Sequence, residues 1–200
     1  MRGFLTRLGV FLLFGCLLVQ AAEYTVPFLA NAPVIDGKLA PNEWSSALAI
    51  SGANARKLDP RQTTVYLAFD NDFVYLASRT ELPLRGGLQV SPNPAAHVVM
   101  DDSIELWFLP LSEQRTLEAG KFGYFQLIYN SVGRSFARHH EPGYGLPAKE
   151  WQSGVRQQHR CEDGFWVAEL AFPAQAFGLE NLSKDGDWRI LLVRNFRSDP

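Results

Sequence analysis

The chain has 200 residues, 19 of them basic and 21 acidic, which gives a formal net charge of −2. Charge this close to balance, without a basic cluster, argues against nucleic acid as a partner. Cys16 lies in the N-terminal segment described next, so Cys161 is alone in the rest of the chain and no disulfide framework is expected. A lone cysteine is usually a small buried hydrophobe, and we expect this of Cys161.

The N-terminal segment has the three parts of a secretory signal peptide. Its start is basic, residues 8–19 are almost purely apolar, and small residues follow up to Ala21. The sequence therefore predicts a signal peptide over residues 1–21, with cleavage after Ala21 and a secreted or periplasmic protein. A membrane span needs about 20 apolar residues, so we expect no membrane contact in the mature form.

Apolar residues alternate at period two through most of the remaining chain, which is typical of β-strands with one buried face. The predicted strands are residues 64–70, 73–80, 103–109, 123–129, 155–161, 165–172 and 188–196. Helical signals are confined to short turns at residues 41–47 and 173–177. Short strands with turns about every ten residues predict an all-β fold, a two-sheet antiparallel β-sandwich over residues 22–200.

The alternation also separates a core face from a decorated face. The predicted core residues are Leu67, Phe69, Ile104, Leu106, Phe108, Leu127 and Leu170. Glu105 and Trp107 share the opposite face of their strand. The long loops at residues 82–99 and 138–149 are rich in glycine and proline, and such loops on a sandwich often carry binding groups.

Five motifs follow one another along the chain in an order that characterises one family. They are Ile35-Asp36-Gly37-Lys38-Leu39 with Glu43-Trp44; residues 65–70 with 73–77; Asp102-Ser103-Ile104-Glu105-Leu106; Phe125-Gln126-Leu127 with Asn130 and Gly133; and residues 164–173. With these motifs the chain resembles the family 9 carbohydrate-binding modules, a group of DOMON-like β-sandwiches of immunoglobulin-like jelly-roll type. The resemblance covers nearly all of the chain after residue 21.

The resemblance implies a non-catalytic carbohydrate-binding domain of an exported protein, attached to polysaccharide-degrading machinery and serving carbohydrate catabolism. Its partner would be a poly- or oligosaccharide, and Glu105 and Asn130 would be hydrogen-bonding groups on the concave face. Two departures accompany it. Val99 stands where a sugar-binding member has one tryptophan of an aromatic clamp. The second clamp tryptophan would follow the last strand, so the family's closing segment is expected to be absent from a chain that stops at Pro200.

The tryptophans and one arginine have alternative roles. Trp44, which follows the opening turn, is expected in the core, and so are Trp166 and Trp188, which lie in apolar strands. Trp107 and Trp151 could each stack on the C–H face of a sugar or pack in the core. Arg194 lies in a mostly apolar strand, where it would form either a structural ion pair or a ligand contact.

Two other functional interpretations stay open. Met100, with His97, His139 or His140 as axial ligands, would suit a haem-binding or redox-associated DOMON-like domain. The third is a structural or protein-interaction sandwich without a ligand. Adjacent His139 and His140 would point to opposite faces of a strand, so they could not ligate one ion together.

Metal and catalytic signals are weaker. The aspartates at positions 70, 72, 101 and 102 could contribute to a structural calcium site, yet no loop has the regular spacing of oxygen ligands. No ordered Ser, His and Asp set stands out. The carboxylates of Glu105 and Glu169 indicate acid–base chemistry only if their separation fits it. The sequence therefore predicts neither an enzyme nor a cofactor.

Overall fold

The structure is a computed structural model that describes residues 23–51, 61–93, 97–111, 123–141, 147–184 and 186–198. The predicted signal peptide and its cleavage point lie outside these residues. None of the helices in the described ranges is long and apolar enough to cross a membrane.

The described residues form ten strands and three short helical segments. The strands are β1 Leu48–Ser51, β2 Thr63–Phe69, β3 Phe73–Glu81, β4 Ser103–Leu111, β5 Tyr124–Asn130, β6 Ser135–His140, β7 Lys149–Glu150, β8 Arg156–Glu162, β9 Phe165–Pro173 and β10 Asp187–Asn195. The helical segments are α1 Pro41–Trp44 and the 3₁₀ turns Val98–Met100 and Ala174–Phe177. The two predicted helical turns are thus confirmed, the second with Pro173 at its N-cap.

The strands form two five-stranded antiparallel sheets. Sheet A has the order β1-β2-β3-β9-β8, and sheet B has the order β10-β4-β5-β6-β7. The strands of each pair run antiparallel. This confirms the predicted all-β sandwich, and all seven predicted strands are present with small shifts at their ends.

The sequence pattern missed three strands, β1, β6 and β7. The prediction of a loop over residues 138–149 is wrong at its start, because residues 138–140 continue β6. β6 carries no clean apolar alternation, since Phe136 and Arg138 lie on one face and Ala137 and His139 on the other. Hydrogen bonds to β5 hold it in the sheet despite this composition.

The main core fills the space between the sheets. Six of the seven predicted core residues are buried, and Phe69 is half-buried against the same cluster. Phe108 makes edge-to-face contacts with Phe172 and Phe177, whose ring centroids lie 5.1 and 5.4 Å from its own. Leu106 and Leu127 face each other across β4 and β5 and are fully buried.

The outer face of sheet A is covered by the segment before β1. Trp44 is buried there, as predicted, beside Ala68, Tyr75 and Ala77. The fully buried carboxylate of Glu169 on β9 holds this segment in place. It accepts hydrogen bonds from the backbone N–H groups of Asp36 at 2.9 Å and Gly37 at 2.7 Å, and from the Trp44 indole at 2.8 Å.

Three side chains test the remaining expectations of burial. Trp166 is fully buried as predicted, whereas Trp188 is half-buried at the margin of the core. The prediction that Cys161 is buried is wrong, because the side chain is exposed. Cys161 lies on β8, an edge strand of sheet A that has a neighbour on one side only.

Candidate functional site

The outer face of sheet B points away from the core and carries most of the polar and aromatic candidates. The register places one row of side chains across all five strands: Leu191, Trp107, Gln126, Arg138 and Glu150. Glu105 lies two residues before Trp107 on the same face, as the alternation predicted. Because strand pairing fixes these neighbours, their side chains lie next to one another on one face of the sheet.

A chain of hydrogen bonds links three of these side chains. Gln126 Nε2 lies 2.5 Å from Glu105 Oε1, and His140 Nε2 lies 2.9 Å from Gln126 Oε1. The three residues come from β4, β5 and β6, so the chain runs across the middle of the sheet. The Glu105 carboxylate is partly exposed and can accept a hydrogen bond from a ligand hydroxyl, whereas the Gln126 side chain is buried and holds Glu105 in place.

Aromatic rings lie next to this polar chain. The ring centroids of Trp107 and Tyr124 are 5.1 Å apart, and the His140 ring stacks on Tyr124 at 4.3 Å and on Trp107 at 5.6 Å. All three side chains are partly exposed. Burial, and then the charges of His139 and Arg138, lower the pKa of His140 below its usual value. The imidazole is therefore neutral at pH 7, and the three rings form a mixed aromatic and polar surface.

A second group of rings bounds the face. Phe136 on β6 contacts the His97 ring at 4.4 Å between centroids, and the Arg138 guanidinium lies 4.5 Å from the Phe136 centroid. Through His97, the 3₁₀ turn Val98–Met100 lies against the outer face. Val99, at the clamp position of the resembled family, belongs to this turn and is partly exposed. It borders the site without supplying a ring.

Asn130 lies on the same face as Glu105 but is fully buried, with 0% of its surface exposed. Its Nδ2 donates to Asp101 Oδ2 at 2.8 Å, and its Oδ1 accepts from the backbone N–H groups of Val132 at 3.2 Å and Arg134 at 2.9 Å. These bonds close the turn between β5 and β6. The structure thus places Asn130 beside the site without exposing it.

Arg194 points into the core from β10, and its guanidinium is almost fully buried. It donates to Asp102 Oδ1 at 3.2 Å and to the backbone carbonyl of Ser103 at 3.1 Å, and it lies 5.3 Å from the centroid of the Trp166 ring. Burial lowers the pKa of Arg194 to about 10, although the charge of Asp102 opposes this. Of the two sequence-based alternatives, the structure shows the ion pair.

Asp102 anchors two separate segments to the start of β4. Its carboxylate accepts hydrogen bonds from the backbone N–H groups of Gln89 at 2.6 Å, Arg197 at 3.1 Å and Ser198 at 3.1 Å. Burial alone would raise the pKa of Asp102, but these hydrogen bonds and the charge of Arg194 hold it below its usual value. The Asp-Ser motif is therefore a structural anchor.

Asp70 and Asp101 are likewise engaged in local hydrogen bonds. Asp70 accepts from the backbone N–H groups of Asp72 and Phe73, each at 2.8 Å, and from the Tyr75 hydroxyl at 2.6 Å. Asp101 accepts from Arg134 Nη2 at 2.8 Å in an ion pair. Within the described residues, no group of three or more His, Cys, Asp or Glu side chains is placed to hold a metal ion.

Trp151 lies at the edge of the sandwich, away from the outer face of sheet B. Its ring is 6% exposed, stacks parallel to Phe172, and donates from Nε1 to the Ala176 carbonyl at 2.7 Å. It forms part of the wall of a crevice of about 340 Å³ that Ser135 and Gln157 also line. A ring with so little exposed surface offers no face for stacking, so the structure brings neither Trp151 nor Arg194 to Glu105.

The candidate haem ligands are dispersed. His139 stacks on Phe125 on the core side of β6, whereas His140 faces outward, as predicted for adjacent residues. His97 Nδ1 accepts from the Val99 backbone N–H at 3.2 Å, and Met100 is exposed.

Sequence reasoning missed Tyr124, Phe136 and Arg138 and considered His140 only as a metal ligand. These residues recur at every second position of β5 and β6, which is the signal that could have grouped them. The alternation was not recognised because residues 138–140 of β6 were assigned to a loop.

The two sheets and the segment that covers sheet A define an antiparallel β-sandwich. No family model matches the chain, and no curated protein matches it at a significant level. Among solved structures, the chain is similar to a family 9 carbohydrate-binding module from Caldicellulosiruptor kristjanssonii in complex with glucose. The identity is 13% and the TM-score 0.54, over 84% of this chain and 75% of the other.

Two further solved structures show the same likeness. The same family 9 module in complex with cellotriose has a TM-score of 0.54 at 13% identity, over 84% of this chain and 73% of the other. A presumed carbohydrate-binding protein from Bacteroides uniformis has a TM-score of 0.52 at 14% identity, over 79% of each chain. Identity this low shows the fold alone. The chain therefore has the fold of the family 9 carbohydrate-binding modules, which confirms the resemblance at that level.

Proposed function

We propose that the protein is a non-catalytic carbohydrate-binding domain whose ligand is a poly- or oligosaccharide. One observation carries this proposal, namely the hydrogen-bonded Glu105, Gln126 and His140 next to the Trp107 ring on the outer face of sheet B. Sugars need an aromatic surface against their C–H face and paired polar groups for their hydroxyls. The solved family 9 modules of the same fold, in complex with glucose and cellotriose, support the ligand class.

The proposed sugar contacts are Glu105 and Trp107, with Tyr124 extending the ring surface, and the buried Gln126 side chain holds Glu105 in place. Asn130, Trp151 and Arg194 stay sequence predictions that this geometry does not support, because their side chains are buried. Affinity should be modest, since Val99 supplies no second ring. By analogy with base–aromatic stacking, one such ring is worth about 1–3 kcal/mol.

The proposal extends to export and to attachment within polysaccharide-degrading machinery. The basic, apolar and small-residue order of residues 1–21 supports export. Mass spectrometry of the N-terminus of the native protein should find a chain that starts at Ala22, and an intact Met1 would contradict export.

A glycan array followed by titration calorimetry tests the binding function. The wild type should bind at least one oligosaccharide, and Glu105→Ala and Trp107→Ala should each weaken binding about tenfold or more, the worth of a charged hydrogen bond or a stacked ring. Glu162→Ala is the matched control, because Glu162 is a partly exposed carboxylate on β8 of sheet A. Equal binding by all four proteins would place the site elsewhere.

The haem-binding alternative makes a separate prediction. A purified holoprotein with a Soret band in its absorption spectrum would favour it over sugar binding.

A further inference from the structure

We infer that His140 is a positioning residue of the proposed sugar site, which it serves by fixing the side-chain amide of Gln126 and, through it, Glu105. The inference rests on the proposed function. It adds a residue that makes no hydrogen bond to the sugar itself. Its basis is the order of donors and acceptors in the hydrogen bonds that run from His140 on β6 through Gln126 on β5 to Glu105 on β4.

The direction of both hydrogen bonds follows from the Glu105 end of the series, because a carboxylate oxygen accepts. The Glu105 carboxylate accepts in this bond, so the Gln126 atom at 2.5 Å from it is the amide nitrogen. The amide oxygen of Gln126 then faces His140 and needs a donor. His140 Nε2, at 2.9 Å, must therefore carry the hydrogen.

Packing holds the imidazole where this donor is needed. The His140 ring stacks on Tyr124 with an interplanar angle of 20° and on Trp107 with an angle of 28°. The Tyr124 and Trp107 centroids lie only 5.1 Å apart, so the three rings form one cluster, and its contacts restrict rotation of the imidazole while Nε2–H points at Gln126. Without this donor, the Gln126 amide keeps only its hydrogen bond to Glu105, so the side chain can swing about that bond and the carboxylate loses its fixed position.

The fixed orientation determines which groups face the ligand. Within the described residues the second oxygen of Glu105 makes no hydrogen bond, so it remains an acceptor for the ligand, while the buried Gln126 side chain orients the carboxylate. The two lie side by side on neighbouring strands. A carboxylate oxygen held in one orientation matches a hydroxyl of an uncharged pyranose that donates to it.

Two substitutions separate the donor from the ring. His140→Phe keeps an aromatic ring against Tyr124 but removes the N–H, whereas His140→Gln removes the ring but keeps an amide N–H of similar reach. Calorimetry should find about tenfold weaker binding for His140→Phe, the worth of one hydrogen bond, and binding within about threefold of wild type for His140→Gln. Thermal melting of both variants shows whether the fold is retained.

A second measurement reads the network without any sugar. Nitrogen-15 NMR of the imidazole should show the neutral ring with its hydrogen on Nε2, and hydrogen on Nδ1 alone would overturn the inference. If the wild type binds sugar and His140→Phe binds it equally well, or if affinity follows the ring rather than the donor, the inference fails and the proposed function stands. A wild type that binds no glycan overturns the proposed function and the role of His140 together.

Discussion

Single buried carboxylates organise this sandwich. Glu169 receives three hydrogen bonds from the segment that covers sheet A, and two of them come from consecutive backbone N–H groups at Asp36 and Gly37. Gly37 has φ of +83°, a conformation that favours glycine, so the turn can aim both donors at one oxygen. Burial raises the pKa of Glu169, and these hydrogen bonds offset only part of the effect. The motif around Asp36 and Gly37 therefore has a structural role, because it fixes the segment that covers the outer face of sheet A.

His159 gives the protein a pH-dependent stability. Its ring lies inside the sandwich next to Tyr129 and Trp166, and burial lowers its pKa from 6.5 to about 4. As the pH falls below 6.5, the unfolded chain binds a proton that the folded chain does not accept until about pH 4. Stability should therefore decrease across this window by about 1.4 kcal/mol per pH unit from this group.

Urea unfolding between pH 7.5 and 4.5 measures this loss. His159→Gln should lose less stability over the window than the wild type, and His97→Gln serves as the control because His97 is exposed. An unchanged pH slope in His159→Gln would show that His159 does not carry the dependence.

At the scale of elements, the turn between β5 and β6 is held by a polar cluster rather than by apolar packing. Asn130 satisfies the backbone N–H groups of two residues in this turn and bonds to Asp101. Asn130→Ala removes the buried hydrogen bond to Asp101 and the two part-buried bonds to the backbone, and we expect it to cost about 1–3 kcal/mol of unfolding free energy. The exposed Asn181→Ala is the control.

Thermal or urea unfolding of the two asparagine variants measures the cost, and calorimetry on the same samples measures sugar binding. If Asn130→Ala keeps wild-type stability but no longer binds sugar, the structural role of Asn130 is contradicted. The sequence-based role as a sugar contact would then stand.

Whole-molecule stability depends on the core between the sheets. Leu106 is fully buried on the inner face of β4, so Leu106→Ala should cost about 2–5 kcal/mol through lost burial and the cavity left behind. Leu191→Ala makes the same chemical change on the outer face of neighbouring β10, where the side chain is 57% exposed, and should be nearly neutral. A near-neutral Leu106→Ala together with a destabilising Leu191→Ala in urea unfolding would mean that the faces of sheet B are assigned the wrong way round.

The local period-two pattern was enough to predict the sandwich, most of its strands and six of the buried core positions. Burial of one face imposes that alternation directly on the sequence, residue by residue. It also placed Glu105 and Trp107 correctly on the face opposite to Leu106. The pattern did not predict β6, because this strand has no apolar alternation.

Only the tertiary structure decided which polar and aromatic residues meet. Asn130, Arg194 and Trp151 have the same chemistry as ligand-binding residues, and their burial depends on turns, loops and strands far away in sequence. Glu105, Gln126 and His140 come from three strands, and their contact requires the register of β4, β5 and β6. Composition and spacing record which face a residue occupies, whereas pairing across strands is a long-range property that no short stretch of sequence contains.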